Sequence, residues 1–78
     1  MTPAEAITQL LATRGEGKSI CPSEAAKLMA ARSGSQWRDH MEDVHEATDA
    51  LLKAGEISLS WKEEALDQRR GAYRIARR

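Results

Sequence analysis

From Ser35 to Gly55, the residues Trp37, Met41, Val44, Thr48 and Leu51 recur at spacings of four, three, four and three, with Leu52 beside them. Residues spaced this way fall on one stripe only if the backbone is helical. The spacing predicts one long amphipathic helix over residues 35–54. Ser33 or Ser35 can cap its start, and Gly55 can end it in a left-handed conformation open to glycine. The opposite face carries Asp39, Glu42, Asp43, Glu46 and Asp49, with Arg38 and Lys53 at the ends. A chain built around this helix must bury one side of it and leave an acidic side in water.

The N- and C-terminal flanks are short, since the chain has 78 residues. A domain of this size buries only about 60% of the surface its unfolded chain exposes, so the core must be compact. There is little room for an enclosed active site. Cys21 is the single cysteine, so no internal disulfide can form, which suits a reducing compartment. No apolar run approaches the roughly 18 residues of a membrane span, and Met1 is not followed by a basic-then-apolar leader. The expectation is a soluble, cytoplasmic protein of bacterial size, forming a single domain over residues 1–78.

Thr2-Pro3-Ala4-Glu5 is a helix start: Thr2 can cap, Pro3 suits the first helical position and Glu5 can complete a capping box. Ile7, Leu10 and Leu11 continue an apolar stripe, so a helix is predicted over about residues 3–13. Arg14-Gly15-Glu16-Gly17-Lys18 is a loop. Ser19-Ile20 is a short extended piece, and Cys21 stays extended because a proline follows it. Pro22 opens a second helix over about 22–31, with Glu24 in its first turn and Ala25, Leu28 and Met29 inward. After Gly55 the period drops to two: Ile57, Leu59 and Trp61 alternate with Ser58 and Ser60. Tyr73 and Ile75 alternate with Ala72, Arg74 and Ala76 in the same way. Strands are predicted at about 56–61 and 71–76, with a flap at 62–70 and a short strand at 19–20.

Helix, short strand, helix, turn, helix, strand, flap, strand is the order of a winged helix-turn-helix. The fold class expected is therefore α+β, three helices with a small antiparallel hairpin as the wing. Four blocks carry a further resemblance: Ile20-Cys21-Pro22-Ser23-Glu24-Ala25-Ala26, Trp37-Arg38-x-x-Met41, Ala54-Gly55-x-Ile57 and Arg70-Gly71-x-Tyr73-Arg74-Ile75. Together they resemble a family of small bacterial winged-helix proteins with no assigned biochemical function. The resemblance runs from about Ile7 to Ile75. It implies the fold and supplies no catalytic residues. Two features depart from the family pattern. Glu42 stands where a proline usually follows the methionine, and Lys62-Glu63-Glu64-Ala65-Leu66-Asp67 replaces a wing with a basic-Gly pair and a Val-Asp-Pro run.

Motifs for chemistry are weak. Gly17-Lys18-Ser19 matches the tail of a phosphate-binding loop, but position 12 is Ala where that loop needs glycine, and Pro22 follows too soon for a helix at the lysine. His40 and His45 lie five apart, whereas paired helical metal ligands want a spacing near four and a third ligand. They read as histidines at the border of the core. Cys21 precedes a helix N-terminus but has no histidine near it in sequence, and reads as a half-buried structural thiol. Glu63, Glu64 and Asp67 lie on a flap without the burial that splits carboxyl pKa values. Trp37 and Trp61 sit at core phase in helix and strand, so both are expected to be buried rather than free to stack on bases. No catalytic residue, metal or cofactor is expected, and the chain does not read as an enzyme.

Net charge is zero, but it is segregated. Residues 1–38 hold five basic and three acidic side chains, residues 39–67 hold two basic and nine acidic, and residues 68–78 hold five arginines with no acid. Two partners follow from this. Duplex DNA suits the basic groups, with Arg38, Arg69, Arg70 and Arg74 on phosphates and Ser35 and Gln36 toward bases. Against conventional docking, the acids of the third helix would face phosphate on both walls of the major groove, and acids read only cytosine amino groups there. The alternative is a protein-interaction module. Asp39, Glu42, Asp43 and Glu46 would then meet a basic partner or the arginine-rich end of a second copy in a homodimer.

Overall fold

A computed structural model describes residues 1–78. Its elements are α1 (Pro3–Arg14), β1 (Ser19–Ile20), α2 (Pro22–Ser33), a 3-10 turn (Trp37–His40), α3 (Met41–Lys53), β2 (Ile57–Trp61), β3 (Glu64–Leu66) and β4 (Arg74–Arg77). The result is an α+β domain of three helices on a four-stranded antiparallel sheet, in the element order of a winged helix-turn-helix.

Local chemistry explains the helix ends. At α1, Thr2 Oγ1 accepts from the Glu5 N–H at 3.1 Å and the Glu5 carboxylate accepts from the Thr2 N–H at 2.7 Å. This reciprocal capping box stabilises a helix by about 1 kcal/mol. At α2 the Glu24 carboxylate accepts from the Cys21 N–H at 2.7 Å. α3 ends in a Schellman motif: the Glu56 N–H donates to the Leu51 carbonyl, the Gly55 N–H to the Leu52 carbonyl, and Gly55 takes φ +77°.

The predicted helix over 35–54 is not continuous. Gln36 is extended, Trp37–His40 form a tighter 3-10 turn, and regular α-helix begins only at Met41. Ser35 and His40 brace this turn through a 2.6 Å contact between Ser35 Oγ and His40 Nε2. Tightening the first turn takes Trp37 off the stripe of α3 and onto α2.

Inward faces of all elements meet in one core. Ile7 and Leu11 come from α1, Ala25, Ala26 and Met29 from α2, Val44 and Leu51 from α3, and Ile20, Ile57, Leu59, Tyr73 and Ile75 from the sheet and its approach. Burying each Ile, Leu or Val contributes roughly 1.5–3 kcal/mol.

The sheet order is β1-β4-β2-β3, so β4 and β2 are the interior strands. β4 pairs with one edge of β2 from Ile57↔Arg77 to Ser60↔Arg74, and β3 pairs with the other from Leu59↔Leu66 to Trp61↔Glu64. The flap is therefore not a plain loop. Its first half is β3, reached through a two-residue turn in which Lys62 and Glu63 both have positive φ, 50° and 69°. Its second half crosses from one edge of β2 to the other past α3, where Asp67, Gln68 and Arg69 line a shallow depression with Asp49, Leu52 and Lys53.

Two core assignments fall short. Trp37 is only half-buried, packed from the 3-10 turn rather than from the α3 stripe, and Trp61 is 41% exposed. The alternation of Trp61 is right: it lies on the same face of β2 as buried Ile57 and Leu59. That face outruns the helices above it. Leu66, paired with Leu59, still packs on the core, whereas Trp61, one pair further out, does not.

Candidate nucleic-acid interface

The corner between α2 and the 3-10 turn gathers three of the residues singled out in the sequence. Ser35 and Gln36 are exposed at the turn, and the Arg38 guanidinium carbon lies 4.6 Å from the Trp37 ring centroid. Lys27 of α2 adds an ammonium 5.2 Å from the same centroid. A ring face attracts cations through its quadrupole, by about 0.5–1 kcal/mol at exposed sites. Trp37 thus gathers two positive charges around one ring. Neither Lys27, Arg32 nor Arg38 has an ion-pair partner. Lys27 was not legible as part of this group, because ten residues separate it from Trp37 and only the folded corner brings the two together.

The arginines near the chain end do not form one positive edge. Arg69 makes a two-pronged ion pair with Asp49 of α3, Nε and a terminal nitrogen each 3.0 Å from a carboxylate oxygen. That hydrogen bonding holds the Asp49 carboxyl below its ordinary pKa, against the opposing effect of burial. Arg74 is half-buried and donates to the Ser19 hydroxyl at 2.7 Å and the Ser19 carbonyl at 3.1 Å. Arg70 is well exposed, with Asp67 3.8 Å away. Arg14, beside Arg74, also reaches the Ser19 carbonyl and pairs with Glu24. Arg69 and Arg74 therefore hold the fold: one ties the flap to α3, the other ties β4 to β1.

The solvent side of α3 keeps its acids. Asp39, Glu42, Asp43 and Glu46 are exposed and carry no ion pair, and Asp49 is the one acid of this face that Arg69 neutralises.

Beneath that face lies a polar cluster not foreseen as a unit. Tyr73 is 2% exposed, its hydroxyl 2.6 Å from His45 Nδ1 and 3.4 Å from Thr48 Oγ1, and the two rings are tilted at 5.6 Å between centroids. Thr48 in turn donates to the Val44 carbonyl at 2.8 Å. Burial, then the nearby Arg69 charge, lowers the His45 pKa, while Asp49 opposes them. Burial raises the Tyr73 pKa, against its bond to Thr48. Neither histidine joins a set of three metal-ligating side chains. Cys21 is half-buried, its sulfur 3.2 Å from the Ser23 hydroxyl. Every buried side-chain polar atom has a partner, so no orphaned group marks a ligand pocket. No helix is long and apolar enough to cross a membrane.

Residues 2–78 match the model of a family described as "Protein of unknown function (DUF3253)". The chain belongs to that family. No curated protein matches it. The DUF3253 match spans the winged-helix order described above and adds no activity to it.

Proposed function

We propose that this DUF3253 protein is a non-enzymatic nucleic-acid-binding module that docks through the α2–turn corner rather than by laying α3 in the major groove. The observation that carries the reading is the pair of cations, Lys27 and Arg38, held over the Trp37 ring beside exposed Ser35 and Gln36. Preordering two charges removes part of the side-chain entropy that a phosphate contact costs. Arg32, which has no ion-pair partner, adds long-range attraction, and Arg70 adds less because Asp67 lies 3.8 Å away. Unpaired Glu42, Asp43 and Glu46 argue against burying α3 between two phosphate rows, and Arg69 and Arg74 are held by Asp49 and Ser19.

Titration of a labelled oligonucleotide at low and moderate salt tests this. Each phosphate neutralised on a duplex adds about 0.9 to the slope of log K against log salt. Lys27→Ala with Arg38→Ala is expected to weaken binding and to lower that slope by about 2. Absence of binding at low salt, or an unchanged slope in the double variant, rejects the reading.

A second reading rests on a separate observation, the four unpaired carboxylates Asp39, Glu42, Asp43 and Glu46. They suit a basic protein partner or the arginine-rich end of another copy. Light scattering across salt concentrations checks the homodimer version, which requires a dimer that dissociates as salt rises.

A further inference from the structure

Apart from Met1 at the chain end, Trp61 is the one exposed large apolar residue of the molecule. It closes β2 at the tip of the wing, paired across the strands with Glu64. The two residues between them, Lys62 and Glu63, both occupy the left-handed region that non-glycine residues avoid. A two-residue turn of this kind matches the strand twist and fixes the end of the hairpin tightly. Trp61 is thus an aromatic ring mounted on a short, rigid projection, outside the core, with one lysine next to it.

We infer that Trp61 is a stacking platform for an unpaired nucleobase, so that the nucleic acid this module takes is single-stranded or has a single-stranded end. The inference rests on the nucleic-acid reading above and names its partner class. A base stacks on one ring face and is indifferent to sequence, because every base has a π-face. Lys62, next to Trp61 in the chain, supplies a cation for the phosphate of the stacked nucleotide. Glu63 and Glu64 at the same tip repel phosphate, and a duplex brings two rows of phosphates where a stacked single strand brings one. The acidic strip of α3 excludes groove insertion for the same reason. The protein measures 34 Å along its longest axis. A strand of about 12 nucleotides reaches about 40 Å at a rise of about 3.4 Å per nucleotide, longer than that axis.

Fluorescence anisotropy with a labelled 12-nucleotide oligothymidine and with a duplex of the same length tests the inference. Wild type, Trp61→Ala and Trp61→Phe are compared, with circular dichroism as the check on folding. Losing one base stack is expected to weaken single-strand binding by roughly 5- to 150-fold in Trp61→Ala. Trp61→Phe should recover most of that loss, and duplex binding should barely change. Wild-type tryptophan emission should be quenched by the single strand, and less so in Trp61→Ala. If Trp61→Ala binds the single strand like wild type, stacking is overturned while salt-dependent binding through Lys27 and Arg38 still stands. If Trp61→Ala weakens single strand and duplex equally, a base-specific role is likewise overturned. If wild type binds neither at low salt, the nucleic-acid reading falls and this inference with it. Concentration-dependent assembly abolished by Trp61→Ala would then mark the ring as a protein contact.

Discussion

Tyr73 and Trp61 flank the same flap, each on a strand or its approach and each on the core-facing side, yet one is sealed and the other is wet. Tyr73 lies under α3, which supplies His45 and Thr48 to its hydroxyl. Trp61 lies beyond the last residue the helices cover. Alternation along a strand thus reports the face of a side chain, and burial depends on whether another layer extends over that point. The region near Tyr73 is the stable hub of the fold, and the wing tip is free to be spent on binding.

The largest expected effect separates these two directly. Tyr73→Ala removes a buried aromatic side chain and should cost about 3–5 kcal/mol, a large part of the roughly 5–15 kcal/mol that holds a small domain folded. Trp61→Ala, at a side chain that is 41% exposed, should cost less, about 1–2 kcal/mol. Urea unfolding of both variants measures the contrast. Equal losses would break it and place Trp61 in the core after all. Tyr73→Phe keeps the ring and removes one hydroxyl, for an expected cost of about 0.5–1.5 kcal/mol.

Next in size is the wing turn. Lys62 and Glu63 hold φ values of 50° and 69° that Asn and Gly adopt with less strain. Lys62→Asn with Glu63→Gly should stabilise by about 1 kcal/mol, a rise in melting temperature of about 4–8 °C for a domain of this size. If calorimetry shows a loss instead, the wing is not held by the turn as described.

The sequence made much of this legible, for identifiable reasons. Helix starts at Pro3 and Pro22, the stop at Gly55 and the strand alternation at Ile57–Trp61 are all set by residues within a few positions, and each is seen in the fold. What could not be read depends on contacts between distant residues. The 3-10 turn at Trp37–His40 follows from Trp37 docking on α2, the β3 strand from pairing with β2, and the capture of Arg69 by Asp49 from the crossover passing α3. The last matters most for the candidate site. Five arginines without an acid look like an interface in a linear sequence, and the fold gives two of them structural work to do.

A smaller effect tests that assignment. The Asp49–Arg69 pair is two-pronged but exposed, and exposed pairs are worth about 0.2–1 kcal/mol. A double-mutant cycle on Asp49→Ala and Arg69→Ala should return a coupling in that range that shrinks at high salt. Zero coupling at low salt would release Arg69 from the hub and return it to the candidate phosphate contacts.

The smallest effect is a pH dependence confined to the hub. His45 faces Tyr73 and Thr48 on one side and Asp49 and Arg69 on the other, and its pKa lies below the ordinary 6.5 because burial and the Arg69 charge outweigh Asp49. The native state therefore binds a proton on His45 less readily than the unfolded chain. This contribution to stability is fully present above pH 6.5 and is lost as pH falls from there through the lower folded value. One group titrates, so the slope stays below one proton. In Tyr73→Phe the ring nitrogen loses its 2.6 Å partner, and in Arg69→Ala a neighbouring cation disappears. Arg69→Ala should raise the His45 pKa and flatten the slope between pH 5 and 7, read from His45 ring proton shifts by NMR beside urea unfolding at each pH. An unchanged His45 titration in Arg69→Ala would leave burial alone as the cause and uncouple the surface clasp from the polar cluster beneath it.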